Sequence, residues 1–308
     1  MGQRTALLRL AESARHDVAP LARRLVAAAR GAVDRLAERT LGADFDDRTG
    51  KIRDYYAERG GDPFGFDPVF TRYTAMFGAA LHRLYFRTEV HGIENVPAGR
   101  ALLIANHSGQ VPIDGMMIAM AMLMDADPPR SVRSMVEKWA QTLPFVSMLF
   151  SRTGQVVGVP ENCRRLLDDG ELILAFPEGI RGISKPFTKR YQLEEFGSGF
   201  LRLAIETGAP VVPVAVIGAE EQYVSVGSAE QLARSLGMPV LPVIPQLLLP
   251  GGLLPLPTKY RIYFGEPLRF DGDPDDDDDA IEQKVWLVRQ TIQNMLNRGL
   301  RDRKSVFT

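Results

Sequence analysis

The sequence predicts an α/β protein, with a mixed or largely parallel sheet covered by helices and an N-terminal helical segment. Three observations predict it. Short aliphatic runs alternate with helical periodicity from about residue 86 to 270, the pattern of strands joined by covering helices. The runs Ala101–Ala105, Leu172–Phe176 and Val211–Ile217 are apolar almost throughout, as strands buried on both faces are. Polar clusters follow the first two runs, where the loops of open α/β sheets converge.

Taken in order, residues 1–41 carry eight arginines against four acids. After Pro20, the residues Leu21, Leu25, Ala28, Ala32 and Leu36 recur at helical spacing, with Arg23, Arg24, Arg30 and Arg35 between them. Two readings stay open: a helix packed on the main domain, or one lying on an anionic membrane with its arginines at lipid phosphates. A transit peptide is a third. Residues 42–68 read as a linker, because Gly60-Gly61-Asp62-Pro63 and Gly65-Phe66-Asp67-Pro68 are dense in turn chemistry. Helical periodicity resumes over 69–84. Residues 1–85 are therefore expected as an N-terminal helical region with its linker, membrane-associating on one of the two readings, and 86–308 as the α/β domain.

Within that domain, strands are expected at 87–91, 101–105, 133–136, 155–158, 172–176, 211–217 and 260–264. Helices are expected at 115–124, 138–150, 161–168, 199–206, 229–235 and 280–297. The last carries Ile281, Val285, Val288, Ile292 and Met295 on one face. The aspartates 273 and 275–279 before it lack the spacing of a calcium loop and read as an acidic cap on that helix.

A length of 308 residues buries a full core, and 45% hydrophobic with 24% charged residues is ordinary for a globular chain. A net charge of −1 speaks against a nucleic-acid partner. One cysteine, Cys163, excludes a disulfide framework and a multi-cysteine metal site. The absence of an apolar run of roughly 18 residues leaves no spanning helix to expect, and the start carries neither a secretory nor a myristoylation pattern.

The chemistry begins at His107, just past the second expected strand. An imidazole titrates near neutral pH and accepts a proton from an alcohol, given a partner that holds its other nitrogen. Asp114 is the nearest carboxylate in the same loop. Taken alone, His107 would read as a capping histidine. It is joined by Phe176-Pro177-Glu178-Gly179-Ile180-Arg181, after which Lys185, Lys189 and Arg190 place further cations near Glu178, suited to phosphate oxygens.

Asn106-His107-Ser108 with a following aspartate, the Phe-Pro-Glu-Gly-x-Arg block and Val211-Val212-Pro213-Val214-Ala215-Val216 resemble the ordered motifs of the glycerolipid acyltransferases, over about residues 92–268. The resemblance implies His107 as general base, Asp114 as its orienting partner, and Glu178 with Arg181 holding the acceptor's glycerol or phosphate. Asn106, Ser108, Phe176, Pro177, Gly179, Lys185, Lys189 and Arg190 complete the expected substrate-binding set. It implies no bound cofactor; acyl-CoA or acyl-carrier protein is the cosubstrate.

Two departures matter. The family spacing H-x-x-x-x-D would put the acid at position 112, which is Pro112, so Asp114 requires a turn there. The arginine that phosphate-acceptor members often carry after a Gly-x-aliphatic strand is missing from Gly154-Gln155-Val156-Val157-Gly158. That opens a neutral mono- or diacylglycerol acceptor beside lysophosphatidate.

The expected activity is O-acyl transfer from a thioester to a glycerolipid hydroxyl, in phospholipid synthesis, on the cytoplasmic face of a membrane as a peripheral protein. The membrane surface, lipid acceptor and acyl thioester donor are the expected partners. An esterase or thioesterase is the competing enzyme class, although Phe196-Gly197-Ser198-Gly199 lacks the first glycine of a nucleophile elbow. A catalytically inactive lipid-binding protein is the third class. Met116–Met124 reads as a buried helix behind the loop or as an acyl groove. The proline-broken apolar stretch 236–257 reads as a loop facing membrane or acyl chain.

Overall fold

Among the described residues, seven strands make the main sheet: β1 (Glu89–His91), β2 (Ala101–Ala105), β3 (Arg133–Val136), β4 (Val156–Val157), β5 (Leu172–Ala175), β6 (Val211–Ile217) and β9 (Arg261–Phe264). The short strands β7 (Gly227–Ser228) and β8 (Pro242–Val243) pair separately. The order in the main sheet is β1-β9-β6-β2-β5-β3-β4. All neighbours are parallel except β6 and β9, which run antiparallel with Val214 opposite Phe264. The computed structural model describes residues 40–107, 113–139, 146–229, 233 and 241–308.

β2 lies between β5 and β6, with Leu103 opposite Leu174 on one side and Val212 on the other. All five β2 residues and all seven of β6 are buried, which is why both read as unbroken apolar runs. Pro213 is tolerated inside β6 because it faces the gap between Phe264 and the Val211–Leu268 bridge, where no strand donor is needed.

One face of the sheet is covered by α5 (Pro160–Asp168), α7 (Gly199–Thr207) and α8 (Asp278–Asp302), whose apolar residues pack on Leu102, Ile104, Ile173 and Ala215. The α8 stripe is Ile281, Val285, Val288, Ile292 and Leu296. Asp277 caps α8, accepting from the Ala280 amide at 2.8 Å, so the aspartate run is a helix start as expected.

Toward the other face lies α3 (Ile113–Met124), with Gly115 within van der Waals reach of Phe176 and Leu174. Met117, Met120, Met122 and Met124 are all buried, which favours the buried-helix reading of the methionine run. α2 (Pro68–Ala80) packs on α3 where Gly78 meets Met120. Asp67 caps α2 by accepting from the Val69 and Phe70 amides, each at 3.0 Å. A π-helical turn, Leu81–Tyr85, then leads to β1.

The expected linker at 42–68 needs correction, because α1 (Phe45–Glu58) occupies much of it. Thr49, Ile52 and Tyr56 turn inward at helical spacing, and the Tyr56 hydroxyl donates to Glu171 at 2.7 Å. The turn after it is also tied down: Asp62 accepts from the Phe64 and Phe66 amides and pairs with buried Arg133 at 2.6 Å. Asp46–Thr308 forms one compact unit, so α1 and α2 belong with the sheet rather than to a separate region.

The helix expected at 138–150 is present as α4 (Val146–Arg152), with 140–145 outside the described residues. The expected helices at 1–41 and 229–235 lie almost wholly outside them. No described helix is long and apolar enough to cross a membrane.

Candidate active site

His107 stands two residues past the end of β2, and Asp114 is the second residue of α3. The carboxylate thus sits in a helical first turn, where unpaired amides favour negative charge, rather than in the loop that its spacing suggested. The turn expected at Pro112 lies outside the described residues, as does Ser108.

Asp114 is wholly buried. Its Oδ2 meets Nδ1 of His107 at 2.9 Å, and its Oδ1 accepts from the Gly115 amide at 2.8 Å. A carboxylate accepts, which makes Nδ1 the donor of this bond; a neutral ring so held presents its lone pair at Nε2. Nε2 has no hydrogen-bond partner among the described residues, and the ring keeps 14% of its surface exposed. That combination suits proton abstraction from a substrate hydroxyl.

Three further contacts fix the ring. Phe176 stacks on it with centroids 4.1 Å apart and planes 23° apart. The His107 backbone N–H donates to Glu178 Oε1 at 2.9 Å. Gly182, in α6 (Ile180–Ser184), brings its backbone so close that a Cβ there would sit 2.9 Å from Glu178 Cβ and 3.0 Å from His107 Cβ.

Glu178 is therefore beside His107, but its carboxylate points inward. Its second oxygen accepts from Lys185 Nζ at 3.1 Å and from the Glu194 amide at 2.9 Å. Gly179 makes the turn that allows this, at φ +55°, ψ −141°, a conformation that disfavours a side chain. Its N–H returns to the Phe176 carbonyl at 3.0 Å, and the Pro177 carbonyl accepts from Gly197 at 2.9 Å.

The other expected contact residues divide. Asn106 is fully buried and its amide pairs with both backbone groups of Val216, at 3.1 and 2.7 Å. It extends the β2–β6 pairing instead of facing a ligand. Lys185 is a correction too: rather than joining a phosphate-facing loop, its ammonium is buried against Glu178 and Glu220. Burial alone would lower it, but the two carboxylates outweigh that and raise it. Arg181 remains outside, 55% exposed, with Glu195 at 3.2 Å. Lys189 and Arg190 are exposed, Arg190 lying over the Phe187 ring at 4.4 Å.

Sequence reasoning missed Glu220. It follows β6 and is buried, with Oε1 3.3 Å from Lys185 Nζ and Oε2 accepting from the Tyr191 amide at 2.9 Å. Burial pushes its carboxyl up to about 7, with Lys185 pulling the other way. The available signal was a pair of adjacent acids, Glu220-Glu221, directly after a buried strand. Its neighbour Glu221 is held by Arg303 in a two-bond fork at 2.5 and 2.7 Å.

Comparison with known proteins places the chain in a family. The family model described as Acyltransferase matches residues 87–217, which include His107, Asp114, Glu178 and Arg181. An uncharacterized protein of Mycobacterium leprae is 40% identical over 254 residues, covering 80% of this chain and 69% of its own. A mouse protein described as a DGAT1/2-independent enzyme synthesizing storage lipids is 26% identical, over 59% of this chain and 53% of its own. The crystal structure of the 1-acyl-sn-glycerophosphate acyltransferase of Thermotoga maritima superposes with a TM-score of 0.51 at 20% identity, covering 76% of this chain and 81% of that one. That likeness concerns the fold. The sequence resemblance, the fold and the matched motif region agree, and the chain belongs to the acyltransferase family.

Proposed function

We propose that this acyltransferase moves a fatty acyl group from a thioester, acyl-CoA or acyl-carrier protein, to a hydroxyl of a glycerolipid, with His107 as general base. The observation that carries the reading is the His107–Asp114 pair, 2.9 Å apart, with Nε2 left as acceptor. Nε2 takes the hydroxyl proton as the oxygen attacks the thioester carbonyl. The tetrahedral intermediate collapses with loss of the C–S bond, and the departing sulfur recovers the proton from the imidazolium. An ester and a free thiol result, with no acyl-enzyme between them. Loop amides stabilise the oxyanion.

Two acceptors have support. Arg181 is an exposed cation five residues after Phe176 and suits the phosphate of lysophosphatidate. A neutral glyceride is favoured by the storage-lipid enzymes among the relatives and by the arginine missing from the segment Gly154-Gln155-Val156-Val157-Gly158. Thiol release from a fatty acyl-CoA, measured beside lysophosphatidate, lysophospholipid and monoacylglycerol, separates them. Equal thioester loss without any acceptor would favour a thioesterase; no loss at all would favour a lipid-binding protein.

We also propose peripheral binding to the cytoplasmic face of a membrane. Val69, Tyr73 and Phe77 form an exposed stripe on α2, and Leu248, Leu249, Leu253 and Leu254 are exposed on the proline-rich loop. The Tyr85 hydroxyl donates to the Pro255 carbonyl, so loop and helix end adjoin. An apolar surface of this kind suits lipid. Flotation with anionic vesicles tests the idea, and a chain that stays at the bottom of the gradient refutes it.

A further inference from the structure

A buried charge cluster lies one contact behind the base. Lys185 directs its ammonium at Glu178 Oε2 and the Gln192 carbonyl, each at 3.1 Å, and at Glu220 Oε1 at 3.3 Å. Its side chain is 3% exposed. Both Glu178 oxygens are engaged, one by Lys185 and Glu194 N–H, the other by His107 N–H at 2.9 Å. Glu220 is fixed from its other side by the Tyr191 amide at 2.9 Å. Two carboxylates thus share one ammonium, and only one of them reaches the base.

We infer that Lys185, held by Glu220, is a positioning residue for His107: it holds the Glu178 carboxylate in place, aimed at the His107 backbone N–H. The inference rests on the reading of His107 as general base. The physics is directional. A charge-assisted bond to an ionised carboxylate is about twice as strong as a neutral one, and two carboxylates sharing a site without a cation cannot both stay ionised. Without Lys185, Glu178 loses the donor that fixes Oε2 and is left facing the Glu220 carboxyl with no cation between them, so its hold on the His107 amide loosens. Glu220 locks the lysine between two carboxyl groups rather than leaving it free to swing out. The His107 backbone is then fixed from Glu178 while its ring is fixed from Asp114 and Phe176. Displacing a reacting group by about 1 Å costs on the order of 10²-fold in rate, so a clamp on the backbone acts on kcat.

The test uses the full chain and Lys185→Met, Lys185→Arg, the double variant Lys185→Met/Glu220→Gln, and His107→Ala. Steady-state kinetics with a fatty acyl-CoA and the hydroxyl acceptor that the wild type uses are read beside the His107 amide resonance. The chain has four histidines, so 15N-histidine labelling gives a small amide set in which His107→Ala identifies the relevant peak. Lys185→Met is expected to lower kcat roughly 10- to 100-fold, leave both KM values within about twofold, and shift the His107 amide. Lys185→Arg restores most of both readouts. The double variant recovers part of the loss, because Glu178 no longer faces a second carboxyl group; a purely volumetric role for the lysine predicts no such recovery. A folded Lys185→Met protein with wild-type kcat and an unmoved His107 amide overturns the inference, as do equal losses in the Arg and Met variants. If the wild type transfers no acyl group, the catalytic reading fails on its own, and the His107 amide still decides whether Lys185 positions that residue.

Discussion

The His107 backbone N–H donates to Glu178 Oε1 at 2.9 Å, across 71 residues of sequence. That bond joins the two halves of the site, the loop after β2 and the turn after β5, which parallel pairing already sets side by side. Two contacts meet in Glu178: it holds the His107 backbone, and it pairs with a buried ammonium.

Asp114→Asn removes the acceptor that sets the imidazole tautomer while keeping the side chain's shape. The expected result is a kcat lower by about 10²–10⁴-fold, with KM for the acceptor near the wild-type value. Steady-state kinetics at saturating thioester check it.

Gly182→Ala places a methyl 2.9–3.0 Å from Glu178 and His107 Cβ atoms. Overpacking of this kind costs about 1–3 kcal/mol, and the shift falls on His107 itself. A lowered melting temperature with a large loss of activity is expected. Gly115→Ala meets Phe176 at an ordinary 3.5 Å and should be tolerated in stability.

Glu220 gives a pH signature. Burial raises its carboxyl from 4.5 to about 7 on folding. The folded state then binds the proton more tightly, so this contribution to stability is complete below pH 4.5 and lost as pH rises through about 7. Denaturation midpoints should fall across that window, and Glu220→Gln should flatten the fall. Parallel curves for the two proteins would exclude Glu220 as its source.

Arg133 and Asp62 form a buried pair, with side chains 0% and 3% exposed. Arg133→Met strands the carboxylate and is expected to cost about 3–5 kcal/mol, read as a lower urea midpoint. Because Asp62 also accepts two amides of the turn, increased proteolysis near residue 62 should accompany it.

Arg181→Ala should discriminate the acceptors. Loss of a charged hydrogen bond, about 1.5–3 kcal/mol, raises KM for lysophosphatidate roughly tenfold or more and leaves monoacylglycerol unaffected. Equal effects on both acceptors would remove Arg181 from phosphate recognition.

Much of the fold is legible in the sequence where burial is uniform. Val211–Ile217 and Ala101–Ala105 read at their observed bounds because every residue in them is buried. The α8 stripe is legible because its apolar spacing stands against charged neighbours. α1 is not, since only a few inward residues punctuate a polar segment that includes Gly50. In the site, His107 and Asp114 could be paired from motif order, although their seven-residue separation gave no hint that Asp114 opens a helix. The directions of Asn106 and Lys185 were not legible. A lysine beside a motif arginine looks the same in sequence whether it reaches solvent or turns to a buried Glu220, 35 residues away.

The most direct test of the whole account is acyl transfer by purified His107→Ala against the wild type, with a fatty acyl-CoA and the acceptor that the wild type uses. A loss of about 10²-fold or more in kcat, with the fold intact by circular dichroism, is the predicted result. Full retention of ester formation by His107→Ala would contradict it.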